Sequence, residues 1–130
     1  MKTQPTSTNS AEHYSWGSNC DGWHLVKNQS LSVIEEQIPP GASEVTHYHQ
    51  RAQQFFFVLS GEAVMETEGC ETPLTARQGW HILPGVRHRI KNISAEPVRF
   101  LVISQPPSHG DRVVLEVGNE PPSAGKTNEK

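Results

Sequence analysis

The stretch Gly41–Gly61 reads GASEVTHYHQRAQQFFFVLSG. Its two histidines, His47 and His49, are separated by Tyr48 alone. In a strand, side chains at i and i+2 leave the same face, so both imidazoles would point to one place, close enough to share a metal ion. In a helix the corresponding pair is spaced i and i+4. The conformation of this segment therefore decides its chemistry. Val45, Thr46 and Tyr48 favour an extended chain, and Pro39-Pro40-Gly41 keeps a helix from entering.

Two histidines on a strand are common and by themselves read as a surface pair. Three further features sharpen the pattern. His88 follows a turn at Pro84-Gly85, Gly41 stands six residues before His47, and Gly61 closes the apolar run that begins at Gln54. These residues resemble the cupins. That family's first motif is G-x5-H-x-H-x4-E-x6-G, and Gly41, His47, His49 and Gly61 keep every spacing, with Gln54 in the acidic position. The second motif is G-x5-P-x-G-x2-H-x3-N, and Gly85, His88 and Asn92 fall in register. Arg77 replaces its first glycine, with Gly79 two residues on, and Leu83 replaces its proline. The resemblance spans about Val33 to Ile103.

The remaining chain reads as all-β. Strands are expected at Trp23–Lys27, Leu31–Ile38, around the HxH pair, and at Gln54–Leu59, Glu62–Glu68, Cys70–Leu74, Trp80–Leu83, Arg87–Asn92 and Pro97–Ser104. No window shows a clean helical apolar period. Many short strands with Gly and Pro turns suit a sandwich or barrel. The resemblance narrows this to the double-stranded β-helix, or jelly-roll cupin barrel. Residues 1–11 read as a mobile arm and 12–104 as the barrel with an aromatic leader carrying Tyr14, Trp16 and Trp23. Residues 105–117 read as a proline-rich linker and an extra strand, Arg112–Val117, and 118–130 as a disordered tail.

Composition narrows the partners. The 130 residues suit one domain, and a net charge of −3 with no basic block argues against nucleic acid or an anionic membrane surface. No apolar run approaches the roughly 18 residues of a membrane span, and the first ten residues lack the apolar centre of a signal peptide. A cytoplasmic protein is expected, with Cys20 and Cys70 as reduced thiols. No GxSxG, P-loop or GxGxxG is present.

The resemblance implies metal ligands at His47, His49 and His88. Where the family has glutamate, Gln54 offers a neutral carbonyl oxygen or none at all. Such a site keeps the full charge of a divalent iron, manganese, nickel, zinc or copper ion and should favour a small anionic ligand. If Gln54 faces inward, so do Phe56 and Val58, as an apolar pocket wall, while Phe55, Phe57 and Leu59 face outward and need cover. Arg51, in the turn after the HxH pair, is placed to meet an anion at the mouth. Met65 and Glu66 are both candidates to reach the cavity, and His81 is either a donor behind the ligands or a packed strand residue. Two functions follow from the resemblance. One is a metal-dependent enzyme acting on a small anion, dioxygenase-like or else an isomerase or lyase. The other is a noncatalytic, metal-dependent small-ligand binding or sensing protein. The outward apolar residues and the aromatic leader point to a homodimer, with Arg112–Val117 as a candidate exchanged strand.

Overall fold

A computed structural model describes residues 4–115. The tail expected at 118–130 lies outside them, as do the last two residues of the expected strand Arg112–Val117. The described residues form eleven strands and no helix: β1 (Glu12–Trp16), β2 (Cys20–Lys27), β3 (Ser32–Ile38), β4 (His47–His49), β5 (Gln53–Ser60), β6 (Glu62–Thr67), β7 (Cys70–Thr75), β8 (Gly79–Ile82), β9 (His88–Lys91), β10 (Val98–Gln105) and β11 (Arg112–Val114). Among these residues no helix is long and apolar enough to cross a membrane.

The strands make two antiparallel sheets. One runs β1-β2-β3-β10-β5-β8 and the other β11-β4-β9-β6-β7. Alternation sets which side chains meet between them. In β3, Ser32, Ile34, Glu36 and Ile38 are buried while the residues between them are half-buried. In β10, Val98, Phe100, Val102 and Ser104 turn inward. With Phe56, Val58, Met65, Leu74, Ile82 and Ile90 they form the core. Burying a side chain such as Phe56 or Phe100 fully stabilises the fold by about 1.5–3 kcal/mol each.

Gly61 shows why the β5–β6 turn needs glycine. Its φ is 83°, and a Cβ there would lie 2.5 Å from the Pro97 carbonyl oxygen. Any other residue would meet both left-handed strain and backbone it cannot displace.

The leader departs from expectation. Glu12–Trp16 is a strand, paired antiparallel with β2, which begins at Cys20 rather than Trp23. Its sequence, EHYSW, hides this because it is an edge strand with only Trp16 buried. Trp16 enters the core of its own barrel, and its Nε1 donates to the Asp21 carbonyl at 3.2 Å. Tyr14 lies across Gly22, where a Cβ would come within 2.2 Å of its ring. That crossing lets the Tyr14 hydroxyl donate to Glu36 Oε2 at 2.8 Å.

At the other end, β11 pairs with β4 of the same chain, Arg112 opposite His49 and Val114 opposite His47. Within the single chain the link at 106–110 is long enough to return β11 to β4, which completes the second sheet.

Candidate metal centre

Three strand positions bring the histidines together. His47 and His49 leave one face of β4, and His88, at the start of β9, is directly opposite His47 in the antiparallel ladder. The ring centroids are 4.4 Å apart for His47 and His88, 5.0 Å for His47 and His49, and 5.9 Å for His49 and His88. One nitrogen from each lies within 4.8 Å of the other two, and all three residues are buried.

Hydrogen bonds behind the rings fix which nitrogens those are. His47 Nδ1 lies 2.8 Å from the Val45 carbonyl oxygen and His88 Nδ1 lies 2.9 Å from that of Val86. His49 Nδ1 lies 3.0 Å from Asp111 Oδ1. These oxygens only accept, so each Nδ1 must carry the proton. Burial holds the His47 pKa well below its ordinary value, with the charge of Arg112 adding to the effect. Burial likewise takes His88 down to about 4, and it lowers His49 against the opposing pull of Asp111. The rings are therefore neutral near pH 7, and each Nε2 presents a lone pair to the common centre.

The lone pairs have nothing to receive them. Nε2 of His47 and Nε2 of His49 are buried with no hydrogen-bond partner among the described residues. His88 Nε2 faces Gln54 Oε1 at 3.2 Å, while Gln54 Nε2 donates to Ser104 Oγ at 3.0 Å. In that orientation two acceptors confront each other. Turning the amide over would satisfy His88 alone, leaving His47 and His49 orphaned. Buried acceptors without donors cost about 1–3 kcal/mol each. A cation among three imidazole nitrogens and an amide oxygen relieves all of them at once, so this donor set fits a divalent transition metal.

Asp111 was not legible as part of the site. Its buried carboxylate accepts from His49 through Oδ1, and from the backbone N–H groups of Arg51 at 2.9 Å and Ala52 at 3.0 Å through Oδ2. It orients His49 and ties the C-terminal segment to the turn after β4. Carboxylates behind metal-binding histidines typically contribute 10–100-fold in metal affinity. Asp111→Ala is accordingly expected to weaken metal binding by roughly that factor. Chelator competition on the folded variant checks this, and unchanged affinity would remove Asp111 from the site.

The other expected residues separate. The Phe56 ring centroid is 5.8 Å from that of His88 and 6.0 Å from that of Phe100, so it walls the histidines. Val58 lies one layer further along the barrel, opposite Phe100 in the core. Arg51 is exposed and lines a cleft of about 560 Å³ with His24, Lys27, Ser32, Ser108 and His109, whose lining includes none of the three histidines. Met65 is buried inward, but Glu66 points away and pairs with Arg89 Nε at 2.7 Å. His81 also lies on the outer face, 2.8 Å from Gln53 Oε1. Glu36, which the sequence reading did not single out, is fully buried on the inner face of β3. Its position two residues from both Ile34 and Ile38 was the available signal.

Comparison with known proteins agrees with this architecture. The cupin domain family model matches residues 34–104. An uncharacterized protein of Methanocaldococcus jannaschii is 28% identical over 94 residues, covering 72% of this chain and 75% of that protein. An oxalate-binding protein of Thermotoga maritima is 28% identical over 78 residues, covering 60% of this chain and 64% of that protein. Among solved structures, the polyketide cyclase RemF of Streptomyces resistomycificus superposes with a TM-score of 0.77 at 14% identity, over 92% of this chain and 90% of that one. With an all-β jelly roll, a buried cluster of His47, His49 and His88, and a family match across more than half its length, this chain belongs to the cupins.

Proposed function

We propose that this protein is a metal-dependent cupin that binds one divalent transition ion through His47, His49 and His88, with Gln54 as a weak neutral fourth donor, and acts on a small anionic substrate. The convergence of three desolvated, deprotonated Nε2 atoms carries this reading. All four donors are neutral, so the ion's charge is left for the substrate to compensate. When bound, such an ion supplies Lewis acidity and, if it is iron, manganese or copper, a route for electrons to dioxygen. The chain's own residues do the rest. Phe56 and its core neighbours exclude water from one side of the site. The half-buried Tyr14 hydroxyl donates to the buried Glu36 carboxylate of the same barrel, a pair able to hold or pass a proton.

A dioxygenase-like oxidation is the reaction we favour, because three neutral histidines suit iron(II) with dioxygen. The name of the Thermotoga relative favours a second reading, in which the site only binds a small acid. Oxygen uptake by iron-loaded protein, measured with diketones, thiols, phenols and hydroxy acids, separates them. Metal-dependent uptake with one class supports the enzyme. Tight metal binding without turnover on any class supports the binding protein.

We propose that it works as a cytoplasmic homodimer. Phe55 and Leu59 are 38% and 39% exposed on the outer face of β5, with Phe55 stacked on Phe57 at 6.1 Å. Cys20 and Cys70 form no disulfide among the described residues, which suits a reducing compartment. Light scattering on the full-length chain is expected to return twice its mass of 14.4 kDa. A monomer at working concentration would rule the dimer out, and Phe55→Glu is expected to convert dimer to monomer.

A further inference from the structure

We infer that Arg112 is the residue that receives the substrate's carboxylate, and that the substrate is an acid with a second oxygen donor beside that carboxylate. This rests on the metal-site reading above and goes beyond it in naming the group recognised and the residue that does so.

Placement is the first observation. Arg112 pairs directly with His49 across β11 and β4, and Val114 pairs with His47. Directly opposed residues of an antiparallel pair share a face. Arg112 therefore projects inward beside the histidines, although it comes from the far C-terminal strand. Its Nη2 lies 3.4 Å from His47 Nδ1, and its charge acts on all three histidines.

Its donors are the second observation. Arginine can only donate, and the His47 Nδ1 it faces already carries a proton for the Val45 carbonyl. That contact is thus a juxtaposition of two donors. Arg112 Nε is buried with no hydrogen-bond partner among the described residues. Glu36 supplies a countercharge across the barrel, but Tyr14 already occupies its Oε2. Arg112 is half-buried, but its Nε is a buried donor with no acceptor, and a carboxylate, whose two oxygens fit the planar fork, matches it. Arg112 Nη2 stands beside His47 Nδ1, so a carboxylate held there would sit next to the metal-binding histidines, and a second oxygen on the same acid would be the group left to meet the ion. A monocarboxylate without that second oxygen engages only one half of the site.

The test is calorimetric titration of oxalate and acetate into full-length, zinc-reconstituted protein, with zinc content measured on the same samples. Wild type is expected to bind oxalate at least about tenfold more tightly than acetate. In Arg112→Met the oxalate affinity is expected to fall by about tenfold or more at equal zinc content, reflecting a lost charge-assisted pair. Arg112→Lys keeps the charge without the fork and is expected to lose part of that affinity, and it decides the matter if circular dichroism shows the Met variant unfolded. Oxalate binding within twofold of wild type in a folded variant of equal zinc content would overturn the role of Arg112. Wild type that takes up zinc but binds no oxalate would overturn the inference and leave the metal site standing. Wild type that takes up no zinc would overturn the metal site itself.

Discussion

His88→Ala is expected to strip the protein of its metal, whereas Gln54→Ala leaves most of it in place. His88 contributes a full nitrogen donor whose proton is parked on Nδ1 by the Val86 carbonyl. Gln54 contributes at most a neutral amide oxygen, and that amide is also held by Ser104. Losing a true ligand should exceed the roughly 10–100-fold typical of losing an outer partner. Losing the amide should fall below that range. Metal content after dialysis against a chelator, measured on both variants, gives the comparison. Equal loss from both would make Gln54 a ligand of the same rank as the histidines and reverse the ordering.

The second large effect is expected from pH. Burial drives the folded-state pKa of His88 down to about 4 from an ordinary 6.5, and lowers His47 and His49 in the same direction. Between those values the unfolded chain binds protons that the folded chain refuses. Stability therefore rises with pH through this window and is lost as pH falls from 6.5 toward 4. Above 6.5 the rings are neutral in both states and contribute no slope. Glu66, held low chiefly by its hydrogen bond to Arg89, adds a loss of the same sign at the acid end. Metal-free protein should show a flat unfolding temperature above the window and a falling one within it. His88→Asn should flatten the fall. Metal-loaded protein should release its ion over the same range, because protons compete for Nε2. An unfolding temperature that holds steady from pH 7 to 4 would show that the histidines are not buried neutral.

Much of the fold was legible because the central strands of the first sheet, with β4 and β9 of the second, obey period two. In β3 and β10 each buried residue alternates with a less buried one, so pattern and structure coincide. The HxH spacing placed His47 and His49, and the parity argument placed Gln54 and Phe56 inward, because a strand's side chains leave it no other arrangement. What escaped the reading depends on tertiary partners. Glu12–Trp16 looks like a polar leader because β1 is an edge strand with one buried residue. Asp111 and Arg112 sit after a Pro-Pro linker, and nothing local reveals that β11 returns to β4 and lays both beside histidines more than sixty residues away. Glu36 was hidden differently. Its inward parity was readable, but a glutamate inside an apolar face becomes plausible only once Tyr14 is seen crossing Gly22 to meet it.

The central claim is that Nε2 of His47, His49 and His88 converge on one ion. Anomalous diffraction at the metal edge, from crystals of reconstituted full-length protein, tests it most directly. The expected result is a single strong peak bonded to all three Nε2 atoms, at about 2.0–2.1 Å if the ion is zinc. A peak bound through any Nδ1, or located away from this cluster, would contradict it.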